Sequence, residues 1–177
     1  MSILNNHLKS KLIVEYGGFS KEALLERLRL QGIMLNEFAQ IIFLSEFFQT
    51  SNQKHSILVI ELSIKELGFP KGATMLQIKD SLKNFGLSEC PLETAVYLRL
   101  MLTSQKEIKV LNQEKNKNPA GSLTVFSRPI IDDDDFPKGF YLRKIDGKLW
   151  IRGYKCSIDD YIWDPNDRFI FNVKDIY

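Results

Sequence analysis

Aromatic and basic side chains alternate along residues 140–154, on both sides of the dipeptide Asp146-Gly147. Because Asp and Gly tolerate the positive φ angles of a two-residue hairpin turn, this segment predicts two antiparallel strands that pair outward from the dipeptide. Side chains that lie opposite each other on the two strands are about 5 Å apart, so a guanidinium group of one strand can lie on an aromatic ring of the other. We expect five residues to share one surface, here called the aromatic–basic face, with Tyr141 beside Arg152, Arg143 on the Trp150 ring, and Tyr154.

The chemistry available to the aromatic–basic face is the binding of anions and planar groups. Guanidinium groups hold phosphates and carboxylates, and aromatic rings stack on bases or sugars. We therefore interpret the face as a surface for a protein partner or an anionic ligand. Two structural roles stay open: the cation–π pairs brace the outer side of the sheet, or another element covers it. The opposite side of the hairpin is apolar and should face the core; it carries Phe140, Leu142, Leu149 and Ile151.

Aspartates form a second group of candidate functional residues, at 132–135, 159–160, 164 and 167. A Ca²⁺ ion takes about six to eight oxygen ligands, which a calcium-binding loop supplies with the spacing Asp-x-Asp-x-Asp-Gly. The aspartates of this chain do not have that spacing. Consecutive carboxylates point in different directions, so we expect residues 132–135 to form a solvated turn. The sequence Asp-Pro-Asn-Asp at 164–167 is typical of a second turn, because Pro fixes φ and the Asp and Asn side chains bond to the backbone. No metal site is predicted.

Nucleophilic catalysis has little support in the sequence. Cys90 and His55 are the residue types of a thiol nucleophile and its base, but no local signature joins them. We interpret Cys90, which precedes Pro91, as a small buried residue. The chain has no P-loop, no glycine-rich dinucleotide motif and no His-Glu-x-x-His, so we expect no cofactor. With two Cys and two His, the sequence excludes a disulfide framework and a His-rich metal centre.

Composition and charge exclude several classes of protein. The 177 residues carry 24 basic and 22 acidic side chains, a formal net charge of +2. A general binder of nucleic acid or of anionic membranes has a larger, clustered positive excess. Sequence-specific DNA binding is not expected either, because the second predicted helix, at 36–48, has no Lys or Arg. The sequence has neither the apolar run of a secretory signal nor one that could span a bilayer, so we expect a cytoplasmic protein without a membrane partner.

Helix signals fill the N-terminal part of the chain, about residues 1–50. Ser20 can cap a first helix that Gly32 ends, and Asn36 can cap a second helix. We expect these two helices to form a tight hairpin. The capping-box pattern Thr-Met-Leu-Gln at 74–77 predicts a third helix.

Strand signals follow in about residues 55–175. Runs rich in Ile, Val and Leu predict strands at 56–64, 94–103 and 123–130, besides the hairpin and a last strand that starts near Arg168. We interpret the polar residues 112–121 as a mobile loop. The chain, 1–177, is thus predicted to be a single α+β domain. The helical hairpin and one further helix would pack on a mainly antiparallel sheet of about five to six strands.

Five short phrases stand out between residues 60 and 173. They are Glu-Leu-Gly-Phe-Pro-Lys-Gly-Ala-Thr at 66–74, Cys-Pro-Leu-Glu at 90–93, Leu-Arg-Leu at 98–100, Leu-Trp-Ile-Arg-Gly-Tyr at 149–154 and Trp-Asp-Pro-Asn-Asp-Arg-Phe-Ile-Phe at 163–171. Together they resemble a family of small uncharacterised bacterial proteins, some of which carry the label "helicase". The resemblance implies no catalytic residue, and the missing P-loop speaks against the helicase label.

Three functional hypotheses stay open on the sequence. The leading one is a non-enzymatic binding or regulatory module that presents the aromatic–basic face to its partner or ligand. The second is a small enzyme acting on a phosphorylated or nucleotide-like substrate. In that enzyme Arg143 and Arg152 would hold the anion, and Asp164 or Asp167 would supply acid–base catalysis. The third is a secreted effector or a component of a toxin system, whose partner is another protein.

Overall fold

The computed structural model describes residues 11–109 and 118–174, in which strands and helices alternate up to residue 101 and strands alone follow. These ranges hold four helices: α1 (Lys21–Leu30), α2 (Glu37–Leu44), α3 (Met75–Leu82), which a 3₁₀ turn (Lys83–Phe85) extends, and α4 (Thr94–Met101). The strands of the same ranges are β1 (Lys11–Tyr16), β2 (Met34–Leu35), β3 (His55–Ser63), β4 (Leu87–Ser88), β5 (Leu123–Val125), β6 (Gly139–Ile145), β7 (Lys148–Tyr154) and β8 (Arg168–Val173).

The eight strands of the described ranges form one mixed sheet, in the order β1-β3-β8-β5-β6-β7-β2, with β4 beside β8. The β5–β8 and β2–β7 pairs are parallel, and the other pairs are antiparallel. The predicted α+β class is confirmed at this level. In detail the sheet is mixed and has more strands than expected, and the described ranges hold four helices instead of three.

Each face of the sheet carries its own hydrophobic core. Alternate residues of a strand point to opposite faces, so the neighbours Phe140 and Tyr141 of β6 belong to different cores. The first core, which includes Phe140, contains the buried apolar residues of α1, α2 and α4. The second core, which includes Tyr141, contains those of α3 and also Trp163, from the connection between β7 and β8. The aromatic–basic face therefore lies on the side of the second core.

The hairpin of β6 and β7 has the predicted register. Arg143 lies opposite Trp150, and the other pairs follow outward from the turn. Asp146 and Gly147 form this turn with φ angles of 49° and 74°, the left-handed values that a two-residue hairpin turn requires. The predicted core side is confirmed, because its four residues pack in the first core: Phe140, Leu142, Leu149 and Ile151.

Three predicted helix starts are confirmed by capping hydrogen bonds. The Ser20 hydroxyl accepts from the Ala23 amide before α1, at 3.3 Å. Thr74 and Gln77 form the predicted capping box before α3. Asn36 caps α2. These side chains satisfy amides that the first turn of a helix leaves unpaired, which is why the caps are readable from local sequence.

The predicted N-terminal helical hairpin is wrong in two respects. Residues 11–16, assigned to the helical part, form β1, and Leu12 and Val14 of this strand pack in the first core. Between α1 and α2 lies β2, which pairs with β7 in parallel, so a strand separates the two helices. A two-residue strand has no periodicity to detect, and its partner is distant in sequence. Residues 1–10, also assigned to the helical part, lie outside the described residues.

The strand predicted at 94–103 is also wrong, because these residues form α4. A short segment that is apolar at most positions fits the strand period and the helical period equally well. The local start signal favours the helix: the Thr94 amide donates to the Pro91 carbonyl at 3.0 Å, in a turn that leads into α4. Ala95 and Leu98, three positions apart, are then fully buried on one side of that helix.

The strand predicted at 123–130 is confirmed only for Leu123–Val125. The next residues change partner, because the Phe126 carbonyl accepts from the Cys90 amide at 2.8 Å. The chain thereby leaves β6 at this point. The loop interpreted as mobile, 112–121, is described from residue 118 onward, and its other residues lie outside the described ranges.

Asn36 joins α2 to the hairpin. Its side-chain oxygen accepts from the Ala39 amide, as the cap of α2, and from the Gly153 amide at 2.8 Å. Its side-chain nitrogen donates to the Gly153 carbonyl at 3.0 Å. Asn36 therefore pairs with Gly153 as a neighbouring strand would, and α2 lies close to β7. A Cβ atom at Gly153 would lie 2.5 Å from the Phe38 carbonyl carbon, so only glycine fits there without a shift of the backbone.

Gly153→Ala should strongly destabilise the fold. The added methyl group would meet backbone atoms of α2, and overpacking of this kind costs about 1–3 kcal/mol or more. Gly32→Ala is the matched control, because Gly32 has a φ of +66° but no atom of the described residues lies within 4 Å of the added Cβ. Its cost should be limited to the left-handed backbone strain, about 1 kcal/mol. Urea denaturation followed by circular dichroism measures both, and equal losses of unfolding free energy would contradict the close approach of α2.

Glu107 attaches the segment after α4 to the hairpin turn. Its two carboxylate oxygens accept from the amides of Asp146 and Gly147, at 2.9 and 3.1 Å. Hydrogen bonds to the charged form hold the pKa of Glu107 below its ordinary value. The carboxylate therefore supports the turn that sets the hairpin register.

This attachment should loosen in acid. Because the folded-state pKa of Glu107 lies below the unfolded value, its contribution to stability is present above the unfolded pKa and is lost as the pH falls through the folded one. We expect the Gly147 amide signal in NMR spectra to titrate with a midpoint below that of a free glutamate. Glu107→Gln should remove this titration and leave the rest of the spectrum folded. A midpoint at or above the ordinary value would rule out the contact.

Candidate functional site

The five residues of the aromatic–basic face lie side by side but differ in exposure. Arg143, Trp150 and Arg152 are half-buried, whereas Tyr141 and Tyr154 are only 7% and 8% exposed. Both tyrosines belong to the second core. The face is therefore buried at the end of the hairpin far from the turn and accessible nearer the turn.

Arg152 occupies the centre of the accessible part. Its guanidinium carbon lies 5.1 Å from the centroid of the Trp150 ring and 5.9 Å from that of the Tyr141 ring. Its Nε donates to the Tyr141 hydroxyl at 2.8 Å, so the predicted position of Arg152 beside Tyr141 is confirmed. Arg143 was predicted on the Trp150 ring, but Arg152 takes that place. Residues two apart on one strand share a face, which lets Arg152 reach the ring along β7.

Tyr154 connects the face to the second core. Its ring centroid lies 6.5 Å from that of Tyr141 and 5.6 Å from that of Trp163, edge to face with the latter. Two backbone hydrogen bonds with Ala73 position Trp163, whose ring also packs on Phe169 at 4.9 Å. Aromatic pairs at these distances contribute more than their buried area alone. The buried end of the face is thus a rigid aromatic wall.

A cleft of about 440 Å³ opens beside β7, next to the start of α2 and the connection between β7 and β8. This volume is within the range of small-molecule sites. The lining includes Arg152 and Lys155, which are cations, and no carboxylate among the described residues. The lining residues are Asn36, Phe38, Asn118, Pro119, Tyr141, Arg152, Gly153, Tyr154, Lys155, Cys156, Tyr161 and Trp163.

Within residues 11–109 and 118–174, four polar groups of the face and cleft are buried without a hydrogen-bond partner: Arg143 Nε, Trp150 Nε1, Trp163 Nε1 and the Tyr154 hydroxyl. Burial raises the pKa of Tyr154 well above its ordinary value, so this hydroxyl keeps its proton at neutral pH. All four groups are therefore able to donate. A buried donor without an acceptor costs about 1–3 kcal/mol. Of these four groups, two belong to residues that line the cleft, Tyr154 and Trp163.

Sequence reasoning found the hairpin part of this site and missed the rest. Asn36 and Phe38 were interpreted only as parts of a helix, and Lys155 follows the hairpin without any motif. The one local signal is the alternation of Tyr161 and Trp163, which places both rings on one side of an extended segment. Their position against β7 depends on the tertiary fold.

The aspartates of the second turn bond within it, and Asp167 also accepts from the Asn118 side chain at 3.2 Å. Asp164 accepts from the Asn166 amide at 2.9 Å, and the Asp167 carboxylate accepts from the Asp164 amide at 2.9 Å. The predicted turn at 164–167 is therefore confirmed. Neither carboxylate lines the cleft beside Arg152. This arrangement gives no support to an acid–base role opposite the arginines.

The aspartates at 132–135 are exposed, as predicted for a solvated turn. The buried side chain of Lys138 donates to the Asp133 carbonyl at 2.8 Å and lies 3.2 Å from the Asp134 carboxylate. One buried cation thus balances part of the negative charge. In the part of the chain that the structure describes, no group of three or more His, Cys, Asp or Glu is placed to hold a metal ion.

The two thiols are poor nucleophiles. Burial raises the pKa of Cys90 to about 12 and that of Cys156, in the cleft, to about 11, so both are protonated at neutral pH. Cys90 is buried, as predicted, and its Sγ donates to the Ile170 carbonyl. His55 instead bonds through Nε2 to the Ser51 hydroxyl at 2.8 Å. The cleft therefore contains no activated thiol.

No protein-family model matches the chain, and no curated protein or solved structure is significantly similar to it. The resemblance to small bacterial proteins and the single-domain organisation therefore stay predictions. No helix within residues 11–109 and 118–174 is long and apolar enough to cross a membrane.

Alanine replacement of each tryptophan should separate the accessible part of the site from the buried part. Trp163 is 3% exposed, so Trp163→Ala should cost about 3–5 kcal/mol of unfolding free energy. Trp150 is half-buried and stacks with Arg152, so Trp150→Ala should cost about 1 kcal/mol. Urea denaturation of the two variants gives both values. A loss of about 3 kcal/mol or more for Trp150→Ala would identify a core residue and contradict an accessible face.

Proposed function

We propose that this chain is a non-enzymatic binding module for small anionic ligands, which occupy the cleft beside β7. The observation that carries the proposal is the polarity of the lining: Arg152 and Lys155 bring positive charge, and the described lining residues include no carboxylate. Positive charge against low-dielectric walls attracts anions more strongly than the same charge in open solvent.

Arg152 is the group best placed to contact the anion. Only its Nε is engaged within the described residues, by the Tyr141 hydroxyl, which leaves the terminal guanidinium nitrogens for a ligand. These nitrogens form the planar fork that pairs with a phosphate or a carboxylate through two parallel hydrogen bonds. The Trp150 and Tyr141 rings hold the guanidinium in place, so little side-chain freedom is lost when a ligand binds.

The aromatic lining favours a ligand that also has a planar apolar part. Tyr161 and Trp163 pack edge to face with 5.0 Å between ring centroids, and both line the cleft. Fixed rings of this kind contribute to binding by stacking, because they offer large contact area at little cost in entropy. We therefore expect an aromatic phosphate or carboxylate to bind more tightly than a small inorganic anion.

Calorimetric titration with three probes tests this ligand class. Phenyl phosphate joins an anion to a ring, inorganic phosphate is the anion alone, and benzyl alcohol is a neutral ring. We expect phenyl phosphate to bind about tenfold more tightly than inorganic phosphate, because burying the ring contributes on the order of 1.4 kcal/mol. Benzyl alcohol should show no saturable binding. Equal binding of the two ring compounds would contradict anion recognition.

Arg152→Gln should weaken phenyl phosphate binding by about 10- to 100-fold, because a hydrogen bond to a charged group contributes about 1.5–3 kcal/mol. Arg29→Gln is the matched control. It removes the same charge from α1, where Arg29 is exposed and, among the described residues, forms an ion pair with Glu26 alone. The control should bind like the wild type. An unchanged affinity in Arg152→Gln, with the fold intact by circular dichroism, would overturn the proposed site.

A further inference from the structure

The strand β1 lies at one edge of the sheet. Within the described residues its only strand neighbour is β3, to which it pairs without a bulge from Lys11 opposite Ile60 to Tyr16 opposite His55. The other side of such a strand presents a row of backbone N–H and C=O groups that can pair with a further strand. No proline interrupts this row. The edge is therefore competent to extend the sheet.

The side chains of β1 differ between its two faces. Val14 is buried in the first core, with Leu12 packed against it. On the opposite face, Ile13 is 62% exposed, an unusual position for a large apolar residue in the middle of a strand. Lys11 and Glu15 lie two residues to either side of Ile13 and share its face. This face carries one positive charge, one apolar residue and one negative charge, in that order.

This order is self-complementary when two copies of the strand run antiparallel. With Ile13 opposite Ile13, Lys11 of each copy lies opposite Glu15 of the other, at about 5 Å. On the core side, Leu12 of each copy lies opposite Val14 of the other. Within Lys11–Tyr16, a pairing shifted by two residues would lose both of these opposite-charge contacts. Among the pairings of these six residues, the charge pattern therefore favours the one around a two-fold axis, as an isologous interface requires.

We propose that β1 is a dimerisation strand, which pairs with β1 of a second copy of this chain in this register and continues the sheet across both copies. The contact uses six residues a side, so it is smaller than a standard stable interface, and the dimer is weak and concentration-dependent. We expect a dissociation constant of about 10–100 μM. No residue of β1 lines the cleft beside β7 in the described ranges, so the proposed contact does not use the cleft residues.

Charge reversal tests both the partner and the register. Glu15→Lys places Lys opposite Lys, and Lys11→Glu places Glu opposite Glu, so each variant alone should be monomeric by sedimentation equilibrium at about 200 μM. An equimolar mixture of the two should form a heterodimer, because every opposed pair then has opposite charges. Neither residue is buried, so both variants should keep the wild-type circular dichroism and thermal midpoint.

Three outcomes would overturn the proposal: a wild-type chain that stays monomeric at about 500 μM, single variants that dimerise as well as the wild type, or a mixture that stays monomeric. Ile13→Thr provides an independent check. It keeps a β-branched residue on the strand but removes the apolar contact on the two-fold axis, and it should weaken the wild-type dimer at least about threefold. Unchanged self-association in this variant would also contradict the register.

Discussion

The register of the β6–β7 hairpin is the constraint on which the rest of the structure depends. Asp146 and Gly147 adopt left-handed φ values that match a two-residue turn, so the two strands cannot slide without breaking it. A slip of one residue would exchange every side chain between the two cores. The same register places Gly153 against Asn36, which fixes α2 on β7. It also brings Arg152 to the mouth of the cleft that α2 helps to form.

The features that were readable from sequence are those set by neighbours along the chain. The turn at Asp146-Gly147 and the cap at Ser20 involve residues within a few positions, and both were predicted correctly. The failures have non-local causes. Residues 94–103 fit two periodicities, and packing on the sheet selected the helix α4. The two residues of β2 acquire their strand character only from pairing with β7. Trp163 reaches the cleft because Ala73, 90 positions earlier, holds its backbone.

The candidate site combines rigid aromatic packing with hydrogen-bonding groups that the fold leaves unused. Folded proteins pair nearly all buried donors, so several donors in one region without a partner among the described residues are a departure from the usual pattern. Burial of Tyr141 and Tyr154 lowers the accessible area of the aromatic–basic face but fixes the walls beside Arg152. The predicted surface is therefore smaller than the sequence suggested and better ordered. The positive charge of the cleft lies on Arg152 and Lys155.

The two tryptophans of the chain allow the most direct test, because Trp163 lines the cleft and Trp150 stacks with Arg152. Neither indole N–H has a hydrogen-bond partner among the described residues. The measurement is an NMR titration of the two indole ¹H–¹⁵N signals with phenyl phosphate. If the cleft binds aromatic anions, the Trp163 signal should shift until it saturates as phenyl phosphate is added, because its ring lines the cleft, whereas benzyl alcohol should leave it in place. Both indole signals remaining unshifted up to about 10 mM phenyl phosphate would contradict the account.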